Sequence, residues 1–125
     1  MWIPANPNPK GKNVPDCVVR AVSIALGQDW YTTYDALCSV GREDCNMPPV
    51  DAVWGHFIYY CGFEPFVLPE ACPACVTVQA FCEIYPIGTY IIGTGYHAIA
   101  IIDGNYYDSW DSGQEVPTFF WKIKE

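Results

Sequence analysis

The stretch His97-Ala98-Ile99-Ala100-Ile101-Ile102-Asp103-Gly104-Asn105-Tyr106-Tyr107-Asp108 decides the fold. An apolar run reaches Asp-Gly, a pair suited to the positive backbone angles of a two-residue hairpin turn, and the chain then returns through tyrosines. Around this hairpin the residue period is 2. Residues 90–94, 97–103, 105–109 and 118–123 read as four antiparallel strands. Residues 63–68 form a further short strand candidate. The N-terminal part has helical punctuation instead. Asp16 reads as the N-cap of a helix over Cys17–Leu26, and Gly27 as its C-cap. Asp29 caps a second helix over 30–40 that ends at Gly41. Pro48-Pro49 open a third over 50–61, stopped by Gly62. A short helix over 77–85 stops at Pro86. Helices first and a meander second define an α+β fold, with N-terminal helices packed on a C-terminal antiparallel sheet. Residues 1–125 read as a single domain, and 1–15, rich in Pro and Asn, as an extended arm without a core of its own.

Composition narrows the function. The formal charge is -8, and between Glu43 and Trp121 there is no Lys or Arg. Such a surface repels phosphate backbones, so nucleic acid is an unsuitable partner and a basic or neutral one is favoured. No segment is long and apolar enough to span a bilayer, and the start lacks the basic-then-apolar layout of a signal peptide. The expected compartment is cytoplasmic. Seven cysteines then read as thiols, metal ligands or catalytic groups before disulfides.

One cysteine stands apart. Cys17 follows directly on the cap of a helix that is apolar on nearly every side. A helix N-terminus and a nearby imidazolium both lower a thiol's pKa. Asp16 opposes this if its carboxylate points at the sulfur, and as an N-cap it faces its own helix amides instead. Arg20, the one charge on that helix, must snorkel or find a carboxylate. His97 opens the hairpin's first strand, and the tight turn carries Asp108 back close to opposite it. A carboxylate there fixes the ring's tautomer. Cys17, His97 and Asp108 are therefore the candidate catalytic residues. Taken singly, Cys17 and His97 each also read as ordinary core residues. His56 competes weakly as a base, since it sits mid-helix without an oriented carboxylate, and Asp111 is a less well placed partner for His97.

Asp16-Cys17-Val18-Val19-Arg20-Ala21, Pro86-Ile87-Gly88-Thr89-Tyr90, His97 to Gly104, and Tyr107-Asp108-Ser109-Trp110-Asp111-Ser112-Gly113 together resemble a family of small proteins of Gram-positive bacteria and their phages. That family is similar to papain-like and C39-like cysteine peptidases. The resemblance implies a papain-like fold, Cys17 as nucleophile, His97 as base and Asp108 as the residue that orients it. It also implies a side-chain amide completing the oxyanion hole with the Cys17 backbone N–H. The usual Gln position, about six residues before the cysteine, is Gly11 here. Asn6, Asn8 and Asn13 are the nearby amides, and the resemblance favours Asn8.

The expected function is a cysteine hydrolase acting on a peptide or amide bond of a peptide or protein substrate, with no cofactor required. The rival is a non-catalytic binding or inhibitor protein, encoded by a phage or mobile element, that keeps the fold. A third reading is a zinc-stabilised interaction module. Cys72-Pro73-Ala74-Cys75 has the spacing of half a zinc knuckle or of a redox pair, and Cys61 and Cys82 could complete four thiolates around a structural zinc, although a plain or oxidation-sensitive thiol cluster is the commoner reading of such a set. Tyr106-Tyr107, Trp110 and Phe119-Phe120-Trp121 read as sheet core or as an aromatic rim around His97. Gly93, Gly95 and Gly113 are places where a substrate backbone could approach closely.

Overall fold

Ten elements make up the chain in the computed structural model, which describes all residues except Glu70, Cys72 and Glu125. In order they are β1 (Trp2–Pro4), α1 (Cys17–Leu26), α2 (Trp30–Glu43), α3 (Asp51–Tyr60), β2 (Phe63–Val67), α4 (Val78–Ile84), β3 (Thr89–Gly93), β4 (Ala98–Ile102), β5 (Asn105–Asp108) and β6 (Phe119–Ile123). The six strands form one sheet in the order β1-β5-β4-β3-β6-β2. The fold is α+β, as the change of period predicts.

The sheet separates two apolar clusters. On one side Val18, Ala21 and Val22 of α1, Leu37 of α2 and Trp54 and Ile58 of α3 pack on Ile91, Ala98 and Ala100. On the other, Val78, Phe81 and Cys82 of α4 pack on Tyr90, Ile92, Ile99, Ile101, Tyr106 and Phe120. Strand β4 thus presents small alanines to α1 and isoleucines to α4. The alanines let the helix that begins with Cys17 lie close to the strand that follows His97. Burying a side chain such as Ile99 contributes about 1.5–3 kcal/mol, so β4 is firmly fixed between its two layers. Among the described residues no helix is long and apolar enough to cross a membrane.

The hairpin forms as its sequence predicts. Ile102 pairs with Asn105, and Asp103 and Gly104 take φ of 49° and 77°, both positive as a type I′ turn requires. The end of α1 also matches expectation, with Gly27 at φ 65° in the left-handed region.

Three expectations are corrected. The sheet is mixed rather than antiparallel, because the arm contributes β1, which runs parallel to β5 with Ile3 opposite Tyr107. Helix α2 runs through Gly41 to Glu43. Gly41 is needed for clearance rather than for a stop, since a Cβ there would lie 2.8 Å from the Asn46 carbonyl oxygen. Asp16 precedes α1 but makes no side-chain capping bond, because a buried arginine claims its carboxylate.

Candidate active site

Cys17 is the first residue of α1 and is half-buried. Burial works against ionisation of its thiol. A hydrogen bond with His97, the Ala98 backbone N–H and the charges of His97 and Arg20 outweigh that burial, so the pKa falls below the ordinary value. His97 precedes β4. Burial disfavours its charged ring too, but hydrogen bonds and charge from Asp108 and Cys17 raise its pKa to about 9. The His97 Nε2 lies 2.5 Å from Asp108 Oδ2, which leaves Nδ1 as the ring nitrogen for the sulfur. The structure therefore brings the three candidates together, with one imidazole bonded to both the thiol and the carboxylate. Both shifts run in the direction of a thiolate–imidazolium pair.

Asp108 ends β5 and is 3 % exposed. Besides His97, its Oδ2 accepts from the Ser112 hydroxyl at 2.6 Å. Its Oδ1 accepts from the Ser109 backbone N–H at 2.8 Å and from Arg20 Nη2 at 3.4 Å. Burial raises the carboxyl's pKa, yet the bonds from His97, Ser112 and the Ser109 N–H and the charge of His97 hold it below the usual range. A carboxylate with so many donors stays ionised and fixed, as an orienting group must. Ser112 carries no sequence signal for this role, because its contact depends on the turn after β5.

Arg20 finds two carboxylates. It pairs with Asp16 four residues earlier and with Asp108. Asp16 Oδ2 also accepts from Trp30 Nε1 at 2.9 Å and Asn8 Nδ2 at 3.2 Å. The Asp16 carboxylate is thereby held away from the thiol by its neighbours, where the sequence had suggested its own helix amides. Among the described residues no buried side-chain polar atom lacks a hydrogen-bond partner.

The N-terminal arm reaches the same site. Pro4 pairs with Asp108, and the Asp108 carbonyl accepts from the Ala5 N–H at 2.9 Å and from Trp2 Nε1 at 3.1 Å. Strand β1 thus fixes the backbone that carries the orienting carboxylate. Deleting residues 1–5 is expected to slow alkylation of Cys17 at pH 6 by up to about a hundredfold, as misplacement of a catalytic group by 1 Å can do. The test compares Cys17 with exposed Cys45 by mass mapping, and equal rates in the full and shortened chains would contradict it.

Asn8 lies beside the site with its amide on Asp16, while its oxygen accepts from the Lys10 and Lys12 backbone N–H groups. Asn13 lines the groove that contains Cys17 and His97. Asn6 holds the arm's turn through Asn8 N–H and the Lys12 carbonyl.

Two cavities meet at the thiol. One of about 200 Å³ contains Cys17, His97, Val18 and Trp54 in its wall, and the other, of about 320 Å³, contains Asn13, Ser109 and Trp110. Tyr96, 98 % exposed, borders both. The Trp110 ring covers His97 at a centroid distance of 5.1 Å, which shields the His97–Asp108 bond. Of the three expected glycine approaches, only Gly95 has open space around it and lines a cavity at the thiol. Gly93 is covered by the Phe119 ring and Gly113 by the Tyr106 hydroxyl.

The competing residues lie elsewhere. His56 does have a carboxylate, Asp44 at 2.7 Å, in a pair that links α3 to the end of α2. Asp111 accepts from the Tyr106 hydroxyl at 2.5 Å and from Gly113 N–H. Of the expected zinc ligands, Cys61 packs against the α1 cluster and Cys82 belongs to the α4 cluster, so the sheet separates them. Burial raises both of their thiol pKa values. Cys75 is disulfide-bonded, and Cys72 lies outside the described residues. Among the described residues no group of three or more His, Cys, Asp or Glu could hold a metal.

No protein-family model matches the sequence, no curated protein matches it, and no solved structure matches the fold.

Proposed function

We propose that this chain is a papain-like cysteine hydrolase that cleaves a peptide or amide bond through Cys17, His97 and Asp108. The observation that carries the reading is the single imidazole bonded to Cys17 on one side and to a buried, multiply bonded Asp108 on the other. Helices α1–α3 against one face of the sheet, with the thiol at a helix start, support the papain-like part. Cavities on both sides of the thiol support a chain-like substrate.

In the proposed reaction the Cys17 thiolate attacks the carbonyl carbon, and the oxygen becomes an oxyanion. The Cys17 backbone N–H is one donor to it. Asn13 is the side-chain amide assigned as the second, since it lines the groove while Asn8 is engaged by Asp16. The tetrahedral species collapses as His97 gives its proton to the leaving amine, which leaves a thioester on Cys17. Neutral His97 then takes a proton from water, the hydroxide attacks the thioester, and the acid departs. The thiolate and imidazolium are restored.

The test is alkylation by iodoacetamide at pH 6, followed by mass mapping. An ordinary thiol, with a pKa near 8.5, is less than about 1 % ionised there. Cys17 is expected to react at least about tenfold faster than exposed Cys45. Equal labelling of the two, or a Cys17 rate unaffected by His97→Ala, overturns the assignment.

A further inference from the structure

We propose that the cavity between Cys17 and Trp54 is a specificity subsite for a basic residue of the substrate, with Asp51 as the group that binds its charge. The inference rests on Cys17 being the nucleophile and adds the substrate's character. The cavity, about 200 Å³, is smaller than the range typical of whole small ligands, and it suits one long side chain. Val18, Pro49 and Trp54 give it apolar walls that match the methylene stem of lysine or arginine.

Asp51 is the only carboxylate among its described lining residues. It opens α3, and its Oδ1 accepts from Trp54 Nε1 at 2.9 Å. That bond fixes the carboxylate beside the cavity without neutralising it. Among the described residues neither an arginine nor a lysine pairs with Asp51, and the whole segment between Glu43 and Trp121 contains no Lys or Arg to do so. The neighbouring carboxylates of the site, Asp16 and Asp108, are by contrast both paired with Arg20. Among the described residues, Asp51 is therefore the one carboxylate at the thiol with its charge available to a ligand. The overall charge of -8 adds a field that draws cations toward the cleft.

The test uses dipeptidyl acyloxymethyl ketones that carry lysine, norleucine or glutamate at either residue before the reactive ketone. Rates of Cys17 modification are measured at low ionic strength, with iodoacetamide as a reagent that does not need the subsite. Lysine at one of the two positions is expected to react about tenfold faster than norleucine, as a charge-assisted hydrogen bond allows, and glutamate slowest. The lysine-to-norleucine ratio should fall toward 1 in Asp51→Asn, which keeps an acceptor for Trp54 Nε1, and also in wild type at high salt. If iodoacetamide selects Cys17 but lysine shows no advantage in wild type, the subsite is overturned and the nucleophile stands. If iodoacetamide does not select Cys17, both fall. The wild-type comparison needs no variant to fold.

Discussion

Replacing Arg20 by Met is expected to destabilise the protein by about 3–5 kcal/mol, the usual result of removing one partner from a buried ion pair. The loss would be read as a lower urea midpoint. Arg20 is buried with Asp16 and Asp108 on either side. Without it Asp16 and Asp108 are buried carboxylates with no guanidinium between them, and the neutral donors that remain, Trp30, Asn8, Ser109 and Ser112, do not replace its charge. Methionine replaces the stem's packing but not the charge, so the change isolates the electrostatic part. A domain of this size has only about 5–15 kcal/mol of stability, so the variant should be visibly marginal. Combining Arg20→Met with Asp16→Asn should destabilise less than the two single changes summed, because the second removes a charge the first has stranded. Independent, additive effects would contradict the ion-pair account.

Loss of His97 should have the largest chemical effect. On the proposed mechanism, His97→Ala removes both the main side chain lowering the Cys17 pKa and the proton donor for the leaving amine. Acid–base catalysis alone is worth about 10²–10⁴-fold, so hydrolysis should fall by about three orders of magnitude or more. The pH dependence gives the sign. In the wild type, activity should rise with pH as the Cys17 thiol, its pKa depressed from the ordinary value, ionises, and fall as His97 loses its proton at about 9. In His97→Ala the alkylation rate of Cys17 should climb only near the ordinary thiol range, because its main stabilising partner is gone. A variant that still alkylates readily at pH 6 would show that His97 does not ionise the thiol.

Local chemistry made some of this architecture readable in advance. Asp103-Gly104 specifies its hairpin through backbone angles that few other pairs accept, and so it set Asp108 near His97 from sequence alone. The agreement is close but not complete. The β4–β5 ladder ends with Ala100 opposite Tyr107, so Asp108 meets His97 diagonally rather than directly across. Asp16 misled for the opposite reason. Its capping preference is local, but Arg20, Trp30 and Asn8 compete for the same carboxylate, and tertiary partners prevailed. Strand β1 was hidden because three residues in a Pro-rich arm have no period, and their partner lies at the far end of the chain. Gly41 shows the same limit, since a glycine needed for clearance looks like a glycine that ends a helix. Asp51 was unremarkable in sequence, and only the cavity beside Cys17 gives its carboxylate a meaning.

Strand β5 also determines when the thiol becomes reactive during biosynthesis. Cys17 leaves the ribosome before β2 to β6, at the head of a helix that has no sheet yet to pack against. His97 and Asp108 emerge much later, and β1 has no partner until β5 exists. Until then Cys17 has no imidazolium beside it, so on the proposed reading the nascent chain carries no armed nucleophile past its own unfolded peptide bonds. Reactivity arrives with the hairpin.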